Sequence, residues 1–392
     1  MRRSGPLHVI VDASAAFNQG AGIGRYARSL VPAAARALLG ASFGLFYAPV
    51  RPGTARFAAE TLAAFPRSCP VTVHRAPLSR RRADQLWFRA RVPFPLQIFT
   101  GSADLVYSPD FTAPPAWRVP RVVTVHDLAF LIHPEHTPAR LRSYLQRTVP
   151  RQVASAQRVI VVSETTKRDL IERLGVREEK IVVVPNGVDE RFFAASPLTE
   201  ANRETLNLPK EYLLTVGTVE PRKNHVTLFA ALRLLELRID MPLIVAGRRG
   251  WDVEPIVEAA GDLVRKGRVQ FVDYVPEPLL PGLYAGAAAV IYPSWYEGFG
   301  LPVLEGLAAG VPTVTSDAPA LVEVGGGATI VTNAASAEDL AAAIEQALTP
   351  AERSARRRDE RQRQARRYSW EAAGARLASA MRDVAGVAEP SV

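Results

Sequence analysis

Short apolar runs recur along the chain, several of them rich in Val and Ile without the polar alternation of a half-exposed strand. In the first half they fall at 7–12, 43–47, 71–74, 104–107, 121–125, 158–162 and 181–184, and in the second at 212–216, 243–246, 269–272, 288–292 and 312–315. Continuous apolar strands are those buried on both faces. Helical patterns lie between them, at 23–38, 138–155 and 164–174, then at 225–237, 253–266, 303–309 and 337–347. Strands alternating with helices give an α/β fold with open parallel sheets flanked by helices. The second half repeats the scheme of the first, and 392 residues suffice for two such domains.

The segment 186–210, with Pro197 and Pro209, reads as the linker. The expected division is 1–195 for the first domain, joined by a last helix at 369–392, and 196–368 for the second. Thr349-Pro350-Ala351-Glu352 has the form of an N-cap, a helix-opening proline and a capping-box glutamate. Ser336-Ala337-Glu338-Asp339 is a weaker version. The arginine-dense stretch 351–368 reads as a solvated helix face.

The single cysteine, Cys69, excludes an internal disulfide and any cysteine-cluster metal site. The strand at 7–12 follows a short polar start, and no apolar run is long enough to span a bilayer, so a cytoplasmic protein is expected. The net charge of +9 carries no nucleic-acid motif with it, which leaves phosphorylated small molecules and anionic membrane surfaces as partners. Arg80 to Arg91 mixes cations with Trp87 and Phe88, and suits either a membrane surface or a solvated helix packing Leu86 and Trp87 inward.

The chemistry concentrates in Glu297-Gly298-Phe299-Gly300-Leu301-Pro302-Val303-Leu304-Glu305, directly after a strand. The two glycines permit close backbone approach to a ligand, and Pro302 suits a first helical turn. A helix start attracts anions or sugar oxygens, and carboxylates accept from vicinal hydroxyls. Glu297 and Glu305 are therefore expected to hold hydroxyls at the C-terminal end of one strand. Arg222-Lys223, framed by Gly217 and Asn224, stand between a strand and a helix on the rim where α/β proteins bind ligands. Arg supplies a planar fork for phosphate and Lys a point charge. His126-Asp127 ends another buried strand. Gly20-Ala21-Gly22-Ile23-Gly24-Arg25 opens the first helix but lacks the dinucleotide spacing. His133 and His136 read as acceptor-side or structural, with no carboxylate or further histidine placed on a helix to complete a metal set. No two aspartates lie two apart, so an Asp-x-Asp metal–diphosphate site is missing.

The paired-glutamate stretch resembles that of the retaining family-4 glycosyltransferases of GT-B fold. Val216 to Asn224 is similar to the family's donor-phosphate loop, and Val184-Pro185-Asn186-Gly187-Val188-Asp189, Val125-His126-Asp127 and Tyr368-Ser369-Trp370-Glu371 extend the resemblance over nearly the whole chain. The resemblance implies two Rossmann-like domains facing a central cleft. It implies catalytic roles for His126, Glu297, Arg222 and Lys223: Glu297 and His126 at the donor sugar, Arg222 and Lys223 at the diphosphate. It places Glu305 on the ribose and the backbone of Phe299, Gly300 and Leu301 near sugar and phosphate. Gly217, Gly22, Gly24 and Arg25 complete the donor site. It implies retention of configuration without metal or cofactor, and domain closure by hinges near 186–210 and 368–370.

Tyr107-Ser108-Pro109-Asp110 and His126-Asp127-Leu128-Ala129-Phe130 look most like the family's bacterial mannosyltransferases. GDP-mannose is the expected donor, a UDP-sugar the next, and a saccharide or lipid-linked molecule the acceptor. A nucleotide-sugar epimerase of the same fold and a non-catalytic nucleotide-sugar-binding protein are the rival classes.

Overall fold

The computed structural model describes residues 6–20, 22–49, 53–77, 79, 82–83, 85–89, 92 and 94–387. Arg80, Arg81, Asp84, Ala90 and Arg91, part of the stretch considered for membrane contact, lie outside them.

The chain divides into two compact units: residues 1–128, 139–187 and 369–392 form the first, and 129–138 with 188–368 form the second. The first holds seven parallel strands, β1 (His8–Asp12), β2 (Ser42–Tyr47), β3 (Val71–Arg75), β4 (Leu105–Ser108), β5 (Arg121–Val125), β6 (Arg158–Val161) and β7 (Ile181–Val183). Their order is β3-β2-β1-β4-β5-β6-β7. Val9, Ile10, Val106, Val122, Val123, Val159 and Ile160 are buried, as strands covered on both faces require. Helix α1 (Ile23–Ala37) follows β1, and α2 (Glu164–Leu174) follows β6, capped by Ser163 accepting from Thr166 N at 3.0 Å.

The second unit holds β8 (Leu213–Val216), β9 (Leu243–Ala246), β10 (Val269–Val272), β11 (Ala289–Tyr292), β12 (Thr313–Ser316) and β13 (Ile330–Thr332), in the order β10-β9-β8-β11-β12-β13. Its helices include α3 (His225–Leu234), α4 (Leu301–Ala308), α5 (Ala337–Ala347) and α6 (Ala355–Ala365). Leu213, Leu228, Phe229, Leu243, Ile256, Ile291 and Ile344 share one buried core. Helix α7 (Trp370–Ala385) belongs to the first unit and packs on α1; a Cβ on Gly374 would lie 2.4 Å from the Ala33 carbonyl carbon.

In each sheet the order of strands reverses at one place, between β1 and β4 and between β8 and β11. Ligands of open α/β sheets bind beyond the carboxyl ends of the strands at such switch points.

Three details depart from the sequence reading. The chain passes between units at Gly187–Val188, and 188–210 is not a free linker: Phe192 is buried edge-on against Tyr284 at 5.6 Å, and Thr199 caps a short helix. Residues 129–138 join the second unit, where Trp251 Nε1 donates to the His136 carbonyl at 2.9 Å and the His133 ring lies 6.0 Å from Tyr296. Helix α6 starts at Ala355 with Ser354 as its cap: Thr349 Oγ1 does accept from Glu352 N at 3.4 Å, but only turns follow it, and the Glu352 carboxylate pairs with Arg357 and Arg361 rather than closing a capping box. Arg361 is 1% exposed, so this arginine-rich helix is only partly a solvated face.

Candidate functional site

In the second unit, β8 leads through Gly217 into a single 3-10 turn, Pro221–Lys223, and β11 leads through Pro293 into α4. The two loops flank the switch point. Arg222 and Lys223 come from the first, and Glu297 from the second.

These three side chains meet directly. Arg222 Nη1 donates to Glu297 Oε2 at 2.7 Å, and Lys223 Nζ donates to Glu297 Oε1 at 2.6 Å. Two groups not singled out in the sequence complete the cluster. Tyr292, the last residue of β11, donates its phenol O–H to Glu297 Oε1 at 3.1 Å and accepts from Lys223 Nζ. Glu220, 2% exposed, accepts from Arg222 Nε at 3.1 Å and Nη2 at 2.8 Å. The backbone ties the loops together as well, Trp295 N donating to the Arg222 carbonyl at 2.9 Å. The only signal for Glu220 was its place two residues before Arg222; Tyr292 gave none beyond ending a strand.

Burial alone would raise the Glu297 carboxyl, but Arg222 and Lys223 reverse this and hold it at about 2. Glu297 is therefore a carboxylate at every physiological pH and cannot act as a proton donor. Burial works against the Lys223 charge, yet Glu297 wins and the ammonium is held above its ordinary range. Burial and the Glu297 charge push Tyr292 to about 12, so it stays a neutral phenol. The cluster is a desolvated set of fixed charges beside the carboxyl ends of β8 and β11.

Gly217 follows β8, and a Cβ placed on it would lie 3.5 Å from Lys223 Cε. Gly300 precedes α4 at φ 107°, a conformation L side chains rarely adopt, and a Cβ there would strike Leu321 Cδ2 at 2.5 Å. Leu301 is the first residue of α4 and Pro302 follows it, so the backbone N–H groups at this end precede the intrahelical ladder. Phe299 is buried edge-on against Tyr368, ring centroids 5.7 Å apart. Glu305 lies farther along α4 and is 1% exposed.

The remaining candidates lie on the first unit. His126 follows β5 and is half-buried. Its Nε2–H donates to the Pro109 carbonyl at 2.8 Å, which leaves Nδ1 as the acceptor nitrogen. Burial lowers its pKa, outweighing the Pro109 carbonyl, Asp110 and Asp127. Its ring stands edge-on to Tyr26 of α1 at 4.7 Å, and the Tyr26 hydroxyl bonds Thr124 at 3.1 Å and Tyr107 at 3.2 Å. His126 thus meets the helix that Gly22, Gly24 and Arg25 open. A Cβ on Gly24 would come within 2.1 Å of the Gln19 carbonyl oxygen, so only glycine lets the loop fold back here. Arg28 fastens that loop, donating to the Ala16 and Gln19 carbonyls at 3.0 and 2.6 Å while stacked over Phe57.

The sequence reading found no carboxylate to complete a histidine metal set. A 3-10 turn, Pro134–His136, instead brings Glu135 to His133 and His136, with one ligand-type atom of each within 4.8 Å of the others. His133 Nδ1 and Glu135 Oε1 are 3.0 Å apart, so a hydrogen bond already accounts for the nearest pair.

Two open parallel sheets, each with a switch point, and a buried charge cluster beside that of the second define an α/β protein of the kind that binds ligands beyond its strand ends. Residues 20–192 match the family model for Glycosyltransferase Family 4, and residues 199–365 match that for Glycosyl transferases group 1. The first match makes residues 20–192 a family-4 glycosyltransferase domain and the second makes residues 199–365 a group-1 glycosyltransferase domain.

The O-antigen chain mannosyltransferase B of Escherichia coli is 34% identical over 256 residues, covering 62% of this chain and 65% of that protein, so the matched stretch spans just under two thirds of the relative. A glycosyltransferase from Rickettsia africae superposes with a TM-score of 0.70 at 16% identity, over 97% of this chain and 99% of that one. The Anabaena protein Alr3699/HepE, solved with UDP and glucose, superposes with a TM-score of 0.69 at 19% identity, over 96% and 100%. These structures share the GT-B fold with this chain. No helix among the described residues is long and apolar enough to cross a membrane.

Proposed function

We propose that the protein transfers a hexose, mannose from GDP-mannose, to a saccharide or lipid-linked acceptor, with retention of configuration and without a metal. The observation that carries this reading is the Glu297 carboxylate gripped by Lys223 and Arg222 at the switch point of the second sheet. Cleaving a glycosyl–phosphate bond leaves negative charge on the diphosphate and positive charge on the sugar. The cationic loop after β8 and the start of α4 stabilise the first electrostatically, where a metal would otherwise be needed. A carboxylate oxygen carries two lone pairs, so Glu297 Oε2, held by Arg222 Nη1, can also accept from a sugar hydroxyl. A carboxylate so tightly paired is a poor nucleophile, which favours front-face attack guided by the leaving phosphate.

Glu305 holds the ribose in this reading, and Gly217 and the backbone of Phe299, Gly300 and Leu301 approach the diphosphate and sugar. For His126, Gly22, Gly24 and Arg25, all of the first unit, the roles are those that the family resemblance implies. The choice of mannose rests on the Escherichia coli relative named a mannosyltransferase. A lipid-linked acceptor fits an exposed patch of Trp117, 69% exposed, and Ile98, 58% exposed, with Arg118 over the Trp117 ring. Salt-sensitive co-sedimentation with anionic vesicles tests that contact.

A ligand that binds only the native state raises its melting point. A thermal-shift screen of GDP-, UDP- and ADP-sugars, repeated in EDTA, is expected to single out GDP-mannose in both. Incubation with donor alone then yields slow hydrolysis. Epimerised sugar, or a bound donor left unchanged, would instead support the two rival classes.

A further inference from the structure

Arg222 has five N–H groups, and four are already committed inside the protein. Nε and Nη2 donate to Glu220 Oε1 at 3.1 and 2.8 Å, and Nη1 donates to the Tyr296 carbonyl at 3.0 Å and to Glu297 Oε2 at 2.7 Å. Its side chain is 16% exposed, and those of Glu220 and Glu297 are 3% and 9%. Lys223 differs: its ammonium donates to Glu297 and Tyr292, two acceptors for three N–H groups on a rotatable head.

We infer that Arg222 is a positioning residue, anchored by Glu220, which orients Glu297 for the donor sugar, and that Lys223 is the side chain of this pair that touches the diphosphate. The inference rests on the donor site proposed above and divides its labour. Swinging Arg222 onto a phosphate would strand the Glu220 carboxylate, buried and without its counter-charge, which is strongly unfavourable. It would also release the Tyr296 carbonyl and one oxygen of Glu297 together. Lys223 can turn an N–H toward a phosphate oxygen and keep Glu297. The guanidinium suits the clamp because its five N–H groups, fixed in one plane, hold carboxylates on two loops and the Tyr296 carbonyl together with four hydrogen bonds, more than the three N–H groups of an ammonium can supply.

Calorimetry with GDP, UDP and GDP-mannose tests this, thermal unfolding confirming that each variant is folded. R222Q, R222K and E220M are each expected to weaken GDP-mannose binding at least tenfold while leaving the affinity for free GDP within about threefold. K223M is expected to weaken both ligands at least tenfold. E220Q retains an acceptor oxygen where Arg222 binds, so it loses less than E220M. The double variant E220M/R222Q is expected to be no worse than R222Q, since one clamp is broken twice.

Loss of GDP affinity in R222Q equal to that in K223M would overturn the inference. So would recovery of GDP-mannose binding in R222K, which keeps the charge but not the fork, or wild-type behaviour in E220M. A wild-type protein that binds neither GDP nor UDP would sink the donor site itself, and the inference with it.

Discussion

The side-chain amide of Asn224 reaches across to the carbonyl of Pro293, donating through Nδ2 at 3.0 Å. The same nitrogen donates to the Ala334 carbonyl at 2.7 Å. Asn224 is 4% exposed and sits at φ 57°, so it ends the Arg222-Lys223 turn and latches that turn to the loop after β11. The approach of Lys223 to Glu297 depends on this latch.

Asn224→Gly keeps the left-handed backbone available and deletes both bonds. Two buried carbonyls then lose their donor, and a loss of about 1–3 kcal/mol in urea unfolding is expected, from the usual cost of unsatisfied buried groups. Asn224→Asp is expected to be worse, because a carboxylate facing two carbonyls has no hydrogen to give. An N224G protein as stable as wild type would show that the backbone alone sets the turn.

Acid should destabilise the protein in two stages. Burial, then the Lys223 charge, lowers His225 from 6.5 to about 3. The unfolded chain takes up this proton as pH falls below 6.5, while the native chain refuses it until about 3, so native stability drops across that window. Glu297 is depressed from 4.5 to about 2. Its contribution is complete above pH 4.5 and is lost as pH falls toward 2. Urea midpoints measured from pH 7 to 3 should fall throughout. His225→Gln should flatten the upper part and Glu297→Gln the lower; an unchanged slope between pH 6.5 and 4.5 in H225Q would refute the assignment.

Most strands were legible because both faces are covered, so the pattern is a plain apolar run; the edge strand β3, with Val73 46% exposed, was legible from its alternation instead. β13 was not: Ile330–Thr332 is a three-residue edge strand whose middle residue, Val331, is 47% exposed. Arg222, Lys223 and Glu297 could be picked out as motif residues, but their mutual grip could not, since the partners lie 75 and 74 residues apart in sequence. Glu220 was passed over because a carboxylate beside two cations looks like surface charge until its burial is known. The passage of 129–138 into the second unit leaves no trace in composition, because it depends on where Trp251 and Tyr296 stand.

Arg361 illustrates a charge run misread for the same reason. It is 1% exposed, pairs with Glu352 and donates to the Gly310 carbonyl at 3.4 Å. Removing one partner of a buried pair leaves the other uncompensated, at a cost of about 3–5 kcal/mol. Glu352→Ala is expected to show this in chemical denaturation, whereas the double variant E352M/R361M should recover most of it. Full stability in E352A would mean that water screens Arg361.

His126 makes a claim on kinetics. Its Nε2–H is held by the Pro109 carbonyl at 2.8 Å, and burial keeps the ring neutral through the physiological range. It can therefore accept a hydrogen bond at Nδ1 but cannot serve as a general acid near pH 7. In donor hydrolysis or transfer, kcat/KM should show no inflection near pH 6.5 that disappears in a His126 variant. His126→Phe keeps a planar ring beside Tyr26 and deletes the acceptor, and should lower kcat/KM about tenfold or more, the equivalent of one hydrogen bond at the transition state. An inflection near pH 6.5 present in wild type and absent from H126F would show that the ring titrates during turnover, and the acceptor role would have to be abandoned.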